Sequence, residues 1–165
     1  MLGGVKVIEV NDIAGKHGLY YGLDKYGAKI VKLGLLTRHL KKEIARNEMT
    51  TILVGHLVAD LDLRYDICVV TRARLSRLVK VFHERRYKDE KARENIFAEA
   101  LDYCGVEAAQ KSKEMHEVES AGERRAMMLY IKKRIEGRAA RKPKQRQINM
   151  MPELLSRIKM GKIRL

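Results

Sequence analysis

The chain has 165 residues, 45% of them apolar and 34% charged, the composition of one globular domain large enough to bury a core. Its formal charge is +14 and unevenly placed: residues 124 to 165 hold 14 Lys and Arg against Glu136 and Glu153, whereas residues 1 to 123 hold 21 against 19 acids. No apolar run approaches the roughly 18 residues of a bilayer span, and the N-terminus lacks the basic and apolar regions of a secretory signal, so a soluble, cytoplasmic protein is expected.

In chain order, Val5 to Val10 reads as a short strand, with Asn11 and Asp12 as competing N-caps for the turn that follows. Gly15, Gly18, Gly22 and Gly27 then alternate with Tyr20, Tyr21 and Tyr26. Such a segment is either an ordinary surface loop or a ligand-facing one, because tyrosines offer both stacking faces and hydroxyls. Leu33, Leu36, Leu40, Ile44 and Ala45 recur at helical spacing, with Arg38, Lys41, Lys42 and Arg46 opposite, which predicts a helix covering a sheet. Thr51 to Val54 predicts a buried strand that ends at Gly55-His56. A turn at the carboxyl end of a strand is where open α/β sheets bind ligands, so His56 is either structural or functional.

Residues 65 to 104 carry most of the information. Ile67 to Val70 is a continuous apolar run, the pattern of a strand buried on both faces of a parallel sheet. Leu75, Leu78, Val79 and Phe82 place an amphipathic helix over Ala73 to Glu84. After the basic turn Arg85-Arg86-Tyr87, a further helix starts at Asp89, with Ala92, Ile96, Phe97, Ala100, Leu101 and Cys104 as its stripe, and continues to about Lys113. Cys68 and Cys104 fall inside apolar patterns, without metal-ligand spacing, and read as small core residues. Met115 to Glu119 alternates as a last strand, and Ser120 with Glu123 forms a capping box for a helix through Arg138 with Met127, Met128, Ile131 and Ile135 on its apolar face. Beyond it, Arg138, Arg141, Lys142, Lys144 and Arg146 form a basic linker with Pro143, followed by a short helix over Met151 to Ile158 whose Leu154, Leu155 and Ile158 share a face. The basic quarter is either a solvated surface or a binder of polyanions such as RNA, since neutralising phosphates releases counterions.

Arg85 and Tyr87, followed by Lys91, Glu94, Asn95, Ala98, Glu99 and Ala100, make the pattern R-x-Y and K-x-x-E-N-x-x-A-E-A. It resembles the lid of the archaeal and nuclear adenylate kinases implicated in ribosome assembly. Gly55-His56-Leu57 resembles that family's glycine-histidine turn after the third strand, and Val10 to Ala14 resembles the start of its nucleoside-monophosphate site, so the resemblance covers roughly residues 5 to 145. It implies an α/β fold with a P-loop-kinase-like parallel sheet covered by helices, a kinase-like domain over residues 1–137 and a basic tail over 138–165. The implied activity is phosphate transfer from ATP, with magnesium, to AMP. Residues 9–32 would be the acceptor segment and 85–99 the lid; His56 would be catalytic, and Asp12, Arg72, Arg85, Arg86, Lys91 and Asn95 would bind nucleotide. The arginines suit phosphate as point charges or bidentate forks.

Phosphoryl transfer rests on positioning and charge neutralisation, which a P-loop kinase supplies with G-x-x-x-x-G-K-[ST]. This chain has no such run. The resemblance places that loop, with the first and central strand of a sheet ordered second, third, first, fourth, fifth, ahead of Val5, and an N-terminally truncated reading is expected over a degenerate relative. Val54 stands where the family carries an acidic residue able to orient magnesium, Arg86 where it has a glycine, and Gly15 where a basic residue is common. No magnesium ligand is evident. The alternative function is a non-catalytic scaffold that binds ribosomal RNA or a small-subunit ribosomal protein.

Overall fold

A computed structural model describes residues 4–46, 48–144, 148–161 and 163. Arg146, part of the expected basic linker, lies outside the described residues. The chain is mixed α/β and divides into two compact units, residues 1–64 with 128–142 and residues 65–127 with 143–165.

In the first unit, β1 (Val5–Glu9) pairs in parallel with β4 (Thr50–Val54), with Val5 opposite Thr50 and Glu9 opposite Val54. Between them run α1 (Val10–Lys16), an antiparallel hairpin of β2 (Tyr20–Leu23) and β3 (Lys29–Val31), and α2 (Leu33–Ala45). The 3.6-residue repeat of α2 is borne out, with Leu36 and Leu40 fully buried, and Lys6 Nζ on β1 meets Glu43 Oε1 on α2 at 2.5 Å. Two local expectations are corrected. Val10 opens α1 instead of closing the strand, and Glu9 is the N-cap without a side-chain bond, so neither Asn11 nor Asp12 caps. The glycine and tyrosine segment is a hairpin: Asp24 Oδ1 accepts the Tyr26 and Ala28 N–H groups at 2.8 Å each, and Gly27 takes the left-handed φ of 82° that closes the turn.

In the second unit, β5 (Tyr65–Thr71) pairs in parallel with β6 (Ser112–Val118), crossing over through α3 (Leu75–Glu84), α4 (Asp89–Ala100) and α5 (Tyr103–Lys111). In β5 only Val70 is buried, because a two-stranded sheet does not cover both faces of Ile67, Cys68 and Val69. The helix expected to run to Lys113 breaks at Asp102, whose φ of 56° ends α4. A Cβ at Gly105 would come within 2.2 Å of Asp102 Oδ1, so a glycine follows in the first turn of α5. Cys104 is exposed beyond that break, not a core residue.

The capping box forms as expected: Ser120 Oγ accepts the Glu123 N–H at 3.1 Å and Glu123 Oε2 accepts the Ser120 N–H at 2.8 Å, opening α6 (Ala121–Ile135). Its buried positions include Met127 and Tyr130, spaced by three, while Met128 points outward. Part of the final segment packs into the second unit. Ile148, Met150 and Leu154 on α7 (Met151–Lys159) and its approach, with Ile163, pack in one core with Leu75, Ile96 and Ala100. Leu154 and Ile158 face that core and Leu155 faces away. Glu153 adds a polar clamp by accepting the Ser76 N–H at 2.8 Å and the Leu75 N–H at 3.2 Å, capping α3, whose own Arg74 offers no side-chain cap. Burial works against the Glu153 carboxylate, but these amides and Arg157 hold it below the ordinary glutamate range.

Candidate functional site

The parallel strands β1 and β4 end side by side, so whatever follows them shares one edge of the first unit. After β1 comes α1, with Asp12 exposed in its first turn; after β4 come Gly55 and a 3-10 turn, His56–Asp60, that touches α1. His56 is exposed at that edge. Gly55 has φ 137° and ψ 161°, a conformation essentially restricted to glycine, and its position lies against Val10, where an added Cβ would be 3.6 Å from the Val10 Cβ. This backbone lets the chain leave β4 and present His56 beside the start of α1. Gly55→Ala is expected to cost about 1–3 kcal/mol of strain. Chemical denaturation of the variant checks it, and the loss should exceed that of an exposed Gly22→Ala change, which meets no neighbouring atom within 4 Å. An exposed carboxylate and imidazole at one sheet edge can accept and donate hydrogen bonds to a polar ligand such as a sugar or a base.

A second group lies in the other unit, at the turn between α3 and α4. Arg85 and Arg86 are exposed there, and Arg86 takes a left-handed φ of 53° where a glycine would be unstrained. Tyr87 stacks on Phe82 with ring centroids 5.0 Å apart, and Lys91 Nζ sits 5.2 Å from the Tyr87 centroid. Asn95 Nδ2 donates to the Lys91 carbonyl at 2.7 Å, a bond within its own helix. The turn thus offers two guanidinium groups to an anion from a base fixed by ring stacking.

Arg72 is placed differently from the expectation that its fork faces phosphate. Its side chain is buried, with Nε on Glu99 Oε1 at 2.8 Å, Nη2 on the Glu99 carbonyl at 2.8 Å and Nη1 on Asp102 Oδ1 at 2.6 Å and on Glu117 Oε1. Burial alone would lower its pKa, but the hydrogen bonds and charges of Glu99, Glu117 and Asp102 raise it. Burial raises the Asp102 pKa, and Glu117 and Glu99 add to that while Arg72 opposes it. Glu117 Oε2 also accepts the Ile148 N–H at 3.1 Å, which ties the cluster to the C-terminal segment. In this structure Arg72 serves the chain's own carboxylates.

Sequence reasoning missed this cluster and a cavity of about 300 Å³ at the carboxyl end of β6, lined by His116, Glu117, Gly122, Glu123, Met127 and Lys144. His116 is buried, with Nε2 2.5 Å from Glu114 Oε1. The alternation of Met115 to Glu119 located the strand, but only the parallel register, Thr71 opposite Val118, brings Glu117 beside Arg72.

Magnesium, implied by the resemblance, finds no fitting donor set. Val54 is apolar and partly exposed at the end of β4, and among the described residues no group of three or more His, Cys, Asp and Glu could hold a metal ion. No helix among the described residues is long and apolar enough to cross a membrane.

No protein-family model matches the chain. It is 32% identical over 122 residues to a Methanosarcina barkeri protein named "Putative adenylate kinase", a match covering 71% of this chain and 64% of that protein. A Methanocaldococcus jannaschii protein of the same name is 34% identical over 109 residues, covering 66% and 60%, and one from Archaeoglobus fulgidus is 32% identical over 117 residues, covering 71% and 60%. The chain thus spans less than two thirds of the length of these relatives. Over the shared part it is similar, at about 30% identity, to archaeal proteins that carry an adenylate kinase name.

Proposed function

We propose that this chain carries the acceptor and lid portions of a nucleotide kinase of the adenylate kinase type, acting in phosphate transfer from ATP to AMP. The observation that supports it best is the shared sheet edge: Asp12 and His56, singled out by separate motifs 44 positions apart, follow two strands that pair in register. On this reading residues 9–32 and His56 hold AMP, with Asp12 and the imidazole hydrogen-bonding its polar groups. Arg85 and Arg86, with Lys91 behind Tyr87, neutralise phosphate from the turn at 85–99. Asn95 and Arg72 act through position, Asn95 by bracing its helix and Arg72 by fixing the carboxylates around it.

Coupled assay of ATP-to-AMP transfer tests the reading, on the chain alone and with a strand, G-x-x-x-x-G-K-[ST] loop and helix joined ahead of Val5. Transfer is expected in the joined protein, and His56→Ala should lower it by a few-fold to about tenfold, the worth of one hydrogen bond to a polar group. Absence of AMP-dependent turnover in both forms contradicts it. A scaffold role on ribosomal RNA or a small-subunit ribosomal protein is the second reading, favoured by the apolar Val54 and the exposed Arg141 and Lys144. It requires recovery of ribosomal components by the chain from extract together with no turnover in either form.

A further inference from the structure

The β2–β3 hairpin has a composition that one acceptor nucleotide does not use up. Residues 16 to 32 hold four lysines, three tyrosines and a single acid, Asp24. That acid is committed to the turn, where it accepts the Tyr26 and Ala28 amides. Each tyrosine carries a lysine over its ring: Lys29 Nζ lies 4.8 Å from the Tyr20 centroid, Lys32 Nζ 5.3 Å from Tyr21 and Lys25 Nζ 4.7 Å from Tyr26. Tyr21 is 77% exposed. Gly22, inside the strand between Tyr21 and Leu23, has no heavy atom within 4 Å of where a Cβ would stand, which leaves the backbone open to close approach.

We infer that this hairpin is a binding platform for single-stranded nucleic acid. A ring beside an ammonium group offers both halves of a nucleotide a partner, a π face for the base and a cation for the phosphate. Three such pairs on one hairpin repeat the unit, and a repeated unit fits a polymer better than a mononucleotide. The rings set no hydrogen-bond code, so binding is tolerant of sequence. Arg38 and Lys42 are exposed on α2, which begins directly after Lys32.

Fluorescence anisotropy of the full chain with labelled 12-mer oligouridylate and oligothymidylate, and with a 12-base-pair duplex, tests the inference. Saturable single-strand binding is expected, stronger than duplex binding and not displaced by AMP at equal nucleotide concentration. Tyr21→Ala should weaken it about tenfold, while Tyr21→Phe, which keeps the ring, stays within about twofold. Changing Lys25, Lys29 and Lys32 together to Gln should reduce the log–log salt slope by about 2, at roughly 0.7 per phosphate contact. Because Tyr21 is exposed, circular dichroism of its variants should be unchanged. The inference is overturned if the chain binds duplex as well as single strand or if AMP at equal nucleotide concentration displaces the oligonucleotide. It also falls if the hairpin changes leave binding intact, whether the contact then lies at Arg138, Arg141, Lys142 and Lys144 or the exposed Tyr21, Leu23 and Ile30 meet a protein.

Discussion

Replacing Arg72 with methionine is expected to destabilise the second unit by about 3–5 kcal/mol, the cost of removing one partner from a buried ionic cluster. The methionine fills much of the volume but leaves Glu99, Asp102 and Glu117 facing one another without their cation, and Glu117 is almost wholly buried. Arg72→Lys should recover little, because one ammonium cannot reproduce bonds that leave the guanidinium from Nε, Nη1 and Nη2. The pH dependence has a definite sign. Burial already raises Asp102 and Arg72 opposes that rise, so without the arginine Asp102 binds its proton still more tightly in the folded state than in the unfolded one, and the variant's deficit shrinks as pH falls toward the carboxylate range. Asp102, already raised by burial, protonates early in that descent. Urea denaturation at neutral and mildly acidic pH measures both; a loss below about 1 kcal/mol, or a deficit that grows in acid, would show that the cluster is incidental.

Deleting residues 143–165 is expected to prevent the second unit from folding stably. Leu154→Ala alone should cost about 2–5 kcal/mol, since Leu154 is buried beside Leu75, Ile96 and Ala100. The deletion also removes Ile148, Met150 and Ile163 from that core and uncaps α3 by taking away Glu153. The capping contribution has its own pH signature. The Glu153 carboxylate is held below its ordinary value of 4.5, so its stabilisation is complete at neutral pH and is lost as pH falls through the lowered folded value. A thermal midpoint unchanged by the deletion would contradict this account of the core.

The sequence carried the helices better than the contacts between them. Period 3.6 located α2, α3, α4 and α7, because each covers a core with one face. It misjudged which neighbours turn inward when two apolar residues are adjacent: Met127 and Leu154 are buried, Met128 and Leu155 are not. The break at Asp102 was invisible to periodicity, since its side chain is bound to an arginine thirty positions away. Arg72 illustrates the same limit. The resemblance made it a nucleotide ligand, but Glu99 and Glu117 become its neighbours through the α4 packing and the β5–β6 register. For the candidate site, Gly55-His56 and Asp12 were legible as residues, and their common edge became visible through the parallel pairing of β1 with β4. In the C-terminal segment the apolar face with Leu154 and Ile158 was legible, whereas Ile148, Met150 and Ile163 lie outside any helical repeat and became core residues only through packing.

The most direct test of the nucleotide reading is a nuclear magnetic resonance titration of the isotope-labelled chain with AMP. Saturable shifts should gather on Val10 to Gly15 and on Gly55 and His56, and His56→Ala should weaken the binding. Saturation with shifts confined to the cavity beside His116, or no saturable shift at any site, would contradict the assignment of the acceptor nucleotide to the β1–β4 edge.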